Sequence, residues 1–119
     1  MSQVPSEVIE LAQEICKKSN MKQRMSAVVF DGAEILGQGC NRLICEGSVP
    51  PVRKYGKGWY SVHAELQAIR WAVKKHGYGR LLGCSIYVMR ENGRIAKPCQ
   101  HCMQIIEMVG IKNIFWSER

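Results

Sequence analysis

Between Ser61 and Arg119 the apolar residues change their spacing three times, and this order limits the fold more than any other feature. Leu66, Ala68, Ile69, Ala72 and Val73 recur at helical intervals from His63, and Gly77 ends the run. CSIYVMR (84–90) is a short apolar run of strand type. A second helix is predicted from Pro98, a residue suited to a first helical turn, to Gly110, before a last strand at KNIFW (112–116). Helix, strand, helix, strand in succession predicts a sheet covered by helices, with its last strands parallel.

The upstream half adds one helix and one hairpin. Val8, Leu11, Ala12, Ile15 and Cys16 share a helical face between Ser6, a good N-cap, and Asn20, a good terminator. SAVVF (26–30) and ILGQGCN (35–41) are strands joined by a turn at DGAE (31–34). Residues 42–60 contain Gly47, Pro50, Pro51, Gly56 and Gly58 and are predicted to form a long connection. Connections of that length are usually functional or disordered.

A chain of 119 residues, 46% of them hydrophobic, is expected to make one globular domain over residues 1–119. No run approaches the ~18 apolar residues of a membrane span, so no membrane partner is expected. The start, MSQVPSEVIE, lacks a basic segment followed by an apolar one. A cytoplasmic setting with reduced thiols is therefore expected. The net charge of +7 suits an anionic partner, a nucleic acid or a phosphorylated metabolite. Solubility alone accounts for a charge of this size equally well.

In a reduced setting Cys99 and Cys102 read as metal ligands or a redox pair, and Cys16, Cys40, Cys45 and Cys84 as small buried hydrophobes. A dithiol leaves His63 and Glu65 unexplained. A catalytic zinc site needs three protein ligands and one position for water. His63, Cys99 and Cys102 supply three, from two segments that each open a helix, where the dipole favours thiolates. Taken alone, His63 is an ordinary helix-start histidine and Glu65 an ordinary first-turn acid. Beside a metal-activated water, Glu65 becomes a general acid/base. His101 lies two residues past Cys99 and points elsewhere on the helix, and His76 near a helix end needs no function.

H-x-E followed by P-C-x-x-C is the zinc deaminase signature. On HAE (63–65), PCQHC (98–102), GIKNIFW (110–116) and GQGCNR (37–42), the chain resembles the cytidine/deoxycytidylate deaminase superfamily over most of residues 24–116. The resemblance implies an α/β fold: a three-layer α/β/α sandwich with a mixed sheet of about four strands, C-terminally short. It implies one zinc ion (Zn2+) per chain on His63, Cys99 and Cys102. It also implies hydrolytic deamination at C4 of cytosine, with Glu65 moving protons from water to N3 and to the departing amine. Ala64 would offer its backbone N–H to the pyrimidine O2, and Asn41 would touch the sugar. RIAKPC stands where the adenosine-editing branch carries a T-L-E-P-C run, which counts against that branch. The effector motif of the regulated deoxycytidylate enzymes is not found in residues 42–61, so triphosphate regulation is not expected.

Arg42, Arg53, Lys54 and Lys57 lie among Tyr55, Trp59 and Tyr60. Basic residues interleaved with aromatics suit phosphate contact and base stacking, and suit a solvated loop almost as well. The expected substrate is a free cytosine nucleotide, deoxycytidylate-like, or a nucleoside. The alternatives are cytosine in single-stranded DNA or RNA, and a non-catalytic zinc-binding interaction module, against which an intact Glu65 argues. With the chain stopping at Arg119, the last strand would keep a bare edge, so a homo-oligomer joined near 84–90 or 112–116 is expected.

Overall fold

The computed structural model describes residues 4–45, 53–55, 59–91, 96–98 and 100–117. Helix α1 spans Ser6–Cys16, followed by the hairpin β1 (Met25–Asp31) and β2 (Glu34–Cys40). Three short strands come next: β3 (Arg42–Cys45), β4 (Arg53–Tyr55) and β5 (Trp59–Val62). Helix α2 (Ala64–His76), strand β6 (Ser85–Arg90), helix α3 (Gln100–Met108) and strand β7 (Asn113–Trp116) complete the order.

The main sheet runs β2-β1-β6-β7. Its first three strands pair antiparallel, and β6 with β7 parallel, so the sheet is mixed. Successive side chains of a strand face opposite ways. Val28 and Phe30 therefore meet Val8, Ala12 and Ile15 of α1, with Tyr87 and Met89 beside them. Ala27 and Val29 turn to the other face and meet Ala64, Ala68 and Ile69 of α2 and Ile106 of α3. Burial on both faces explains why SAVVF reads as a continuous apolar run rather than an alternating one. The result is the expected three-layer α/β/α sandwich.

A bulge at Val29/Phe30 pairs Val29 with Gly37 and Phe30 with Ile35, so Leu36 is the extra residue of β2. Leu36 is fully buried in the α2 side of the core. Such a bulge bends the strand and increases its twist, here just before the two glycines of β2.

The structure differs from the expected connection at 42–60. Strands β3, β5 and β4 form a second, antiparallel sheet in that order. Ile44, Tyr55, Trp59, Tyr60 and Val62 are strand-forming residue types. The glycines and prolines that suggested a loop fall in 46–52 and 56–58, between the strands. Strand β6 is an inner strand of the main sheet, with Ile86–Met89 buried and both its edges paired within the chain. Helix α1 also ends at Cys16, before Asn20, and Pro5 rather than Ser6 holds the N-cap position.

Candidate metal centre and active site

His63 precedes the first residue of α2 and has an extended backbone (φ −74°, ψ 143°). It therefore sits where β5 hands over to the helix. Glu65 follows in the first turn, where the helix dipole favours an acid, and it is 3% exposed. Cys102 lies in the first turn of α3 and is fully buried. The two helix starts meet. His63 Nδ1 stands 3.2 Å from Cys102 Sγ. One ligand atom from each of His63, Glu65 and Cys102 lies within 4.8 Å of the others. Cys99, the third expected ligand, lies outside the described residues.

This donor set fits zinc. Imidazole nitrogen and thiolate sulfur bound tetrahedrally at about 2.1 and 2.3 Å stand about 3.6 Å apart, only slightly more than the separation here. Burial pushes the Glu65 carboxyl above the usual range, while a hydrogen bond from the Cys102 thiol and its own backbone N–H pull the other way. A buried carboxylate beside two soft and borderline donors is equipped to hold and move a proton at a metal-activated water.

The other expected site residues are distributed unevenly. Ala64 is buried at the helix start. The first α2 hydrogen bond, from Gln67 N–H to the His63 carbonyl, leaves the Ala64 N–H among the helix's unpaired donors. Asn41 is 9% exposed, and its side chain is held inside the chain. Its Oδ1 accepts from the Met25 N–H at 2.8 Å and its Nδ2 donates to the Gln23 carbonyl at 2.7 Å, while Ser19 Oγ stands 2.7 Å from both Oδ1 and the Asn41 backbone carbonyl, with one proton to donate between them. Arg42 is exposed at the start of β3, where it pairs with Val62, the residue before His63. On the other side of β5, Arg53 pairs with Ser61 and Lys54 with Tyr60. Cations distant in sequence thus bracket the end of β5 that leads into His63. The side chains of Arg53 and Lys54, and all of Lys57, lie outside the described residues.

Ser19 holds Asn41 from 22 residues away, and no local pattern in the sequence marks it. Gly37 and Gly39 have a packing role under α2. Their spacing of two in a strand, which puts both on one face, was the available signal.

An α/β/α sandwich with histidine, cysteine and a buried acid at two facing helix starts belongs to the class of zinc-site enzymes. The chain matches the family described as "Cytidine and deoxycytidylate deaminase zinc-binding region" over residues 2–118 and belongs to that family. Its cofactor is accordingly zinc, and its chemistry that of a deaminase of the cytidine and deoxycytidylate class. No curated protein matches the sequence significantly.

Solved structures share the fold. The apo dCMP deaminase of cyanophage S-TIM5 aligns with a TM-score of 0.65 at 21% identity, over 93% of this chain and 79% of that one. The cytidine deaminase of Mycobacterium leprae aligns at 0.66 and 19%, over 92% and 86%. The guanine deaminase of Bacillus subtilis aligns at 0.61 and 18%, over 98% of this chain and 65% of its own. Among the described residues no helix is long and apolar enough to cross a membrane.

Proposed function

We propose that the protein hydrolyses free cytosine nucleotides, deoxycytidylate-like in substrate, to the corresponding uracil nucleotides and ammonia. The observation that carries this reading is the convergence of buried Glu65 with His63 and Cys102. His63, Cys99 and Cys102 would hold the zinc, whose contribution when bound is Lewis acidity toward water. Glu65 takes a proton from the water as oxygen adds to C4, and delivers it to N3. It then carries the remaining proton of the new C4 hydroxyl to the amine as the C4–N bond breaks, so that the carbonyl forms and ammonia leaves. The unpaired N–H of Ala64 donates to the pyrimidine O2. The bonds to Asn41 turn its carbonyl oxygen inward and use one of its two amide protons, so the other proton is the one available to the sugar. A non-catalytic zinc module would have no use for a buried acid at the ligands.

The cations bracketing the end of β5 support a phosphate clamp made by Arg42 and Arg53, with Lys54 and Lys57 near them in sequence. Charge-assisted hydrogen bonds from two such side chains suffice for one phosphate. A single-stranded nucleic acid is the second reading, favoured by the net charge of +7. Turnover of dCMP, deoxycytidine, cytidine, guanine and a cytosine-containing oligonucleotide, measured side by side over a range of salt, separates the cases. Guanine belongs in the panel because the fold is shared with a guanine deaminase. The dCMP rate is expected to exceed both nucleoside rates and to fall only mildly with salt. Oligonucleotide binding would instead weaken with a log–log slope near ~0.7 per neutralised phosphate. Equal turnover of nucleoside and monophosphate removes the clamp. Efficient oligonucleotide turnover with little on dCMP selects the second reading.

We further propose a cytoplasmic homo-oligomer. Trp71, Tyr78, Leu82 and Met108 are exposed at 40%, 69%, 68% and 83%, apolar side chains that a contact between copies would cover. Light scattering at micromolar concentration is expected to give a mass well above 13.5 kDa, and a monomer mass would overturn the proposal.

A further inference from the structure

Strand β2 carries glycine at 37 and 39, paired with Val29 and Ala27 on the face that α2 covers. The backbone of α2 comes down directly onto these two positions. A Cβ at residue 39 would stand 2.8 Å from the Ala68 nitrogen, 2.8 Å from Gln67 Cβ and 3.1 Å from the Ala64 carbonyl oxygen. One at residue 37 would collide with the Ala68 carbonyl and stand 2.7 Å from Ala72 Cβ. The two glycines therefore support different parts of one helix. Gly37 underlies its middle, and Gly39 underlies the first two turns, which begin beside His63 and contain Glu65.

We propose that Gly39 is a positioning residue of the metal centre: its missing side chain sets how close the start of α2, with His63 and Glu65, lies to Cys102. A methyl group at 39 needs roughly half an ångström more room to reach ordinary contact. Strand β2 is hydrogen-bonded into the sheet through β1, so the helix start is the part that gives way. Cys102 rides on α3, a separate helix, so the displacement falls on the distances between His63, Glu65 and Cys102. Metal–ligand distances tolerate about 0.2 Å, and a misplacement near 1 Å at a catalytic group can cost on the order of 10²-fold in rate. The inference rests on the zinc-site reading above.

The test compares Gly39→Ala and Gly37→Ala in the full, zinc-loaded chain, by thermal melting and by the rate of zinc release to an excess of chelator. Both variants are expected to melt at lower temperature. Gly39→Ala is expected to release zinc at least tenfold faster than the unaltered protein, and faster than Gly37→Ala although the clash at 37 is the tighter, because only the contacts at 39 reach Ala64, next to His63. The d–d spectrum of the cobalt-substituted protein should change more in the first variant than in the second. Equal release rates and equal spectra in the two variants, or unaltered behaviour of Gly39→Ala, would overturn the proposal. Should Gly39→Ala not fold, the Gly39→Ala/Gln67→Gly pair is measured in its place. That second change removes one of the colliding atoms and a side chain whose Oε1 is buried without a partner. If the pair does not fold either, Gly39 serves folding alone and the proposal falls. An unaltered protein that takes up no zinc would instead refute the site reading itself.

Discussion

Glu65→Gln is expected to lower kcat by roughly 10²–10⁴-fold, the usual worth of one positioned proton-transfer group, while zinc content and melting temperature stay near those of the unaltered protein. The amide has the shape of the carboxylate, so it fills the same buried space at the start of α2. It still accepts and donates hydrogen bonds, but it cannot take a proton from water and return it to N3. A proton-carrying role and a ligand role for Glu65 therefore predict different losses. Loss of rate with full zinc supports the first. Loss of zinc along with rate would make Glu65 a ligand of the cluster it forms with His63 and Cys102. Near-normal turnover would remove it from the mechanism. Steady-state kinetics and metal analysis on one protein preparation decide among the three.

Cys102→Ala should abolish stoichiometric zinc and lower the melting temperature together. The sulfur is fully buried against His63 Nδ1 at 3.2 Å, so its removal takes away a ligand and leaves a small void. The metal contribution is the larger. A ligand bound only by the folded state stabilises it by about 2.7 kcal/mol at a concentration 100 times its dissociation constant, and more at higher saturation. The void costs less, because alanine still fills most of the site. The two effects separate by comparison with unaltered protein stripped by a chelator. Stripped protein and the variant should melt within a few degrees of each other, both well below the zinc-loaded protein. A variant that keeps one zinc per chain would refute the assignment of Cys102.

Both predictions concern residues that were legible before any fold was known, because two short motifs of the right residue types, each opening a helix, together supply a zinc site even though 39 residues separate His63 from Cys102. A histidine two residues from an acid and two cysteines three apart are close enough to act together whatever surrounds them. The core was legible for a similar reason. The apolar spacing in α2 and α3 and the continuous apolar runs of β1 and β6 are written within each element, although the helices that cover those strands lie elsewhere in the chain. Periodicity reports which residues of an element are buried, and it does so within a few turns of sequence. The sheet at 42–62 shows the limit. Its strands are three or four residues long, too short for a period to register, and the turn residues between them dominated the pattern.

The order of the main elements, the α/β class and the residue types able to hold zinc and move a proton follow from the residues alone. Tertiary structure decided what could not be read one segment at a time. Only the pairing of β3, β5 and β4 puts Arg42 and Arg53 on either side of the strand that leads to His63. Only the approach of residues 19–25 turns the Asn41 carbonyl oxygen inward. Only the seat of α2 on β2 gives Gly39 a role, since a glycine in a strand means little until the atoms opposite it are known. Each of these outcomes depends on contacts between residues far apart in the chain, and such contacts leave no periodic trace in the segments that make them.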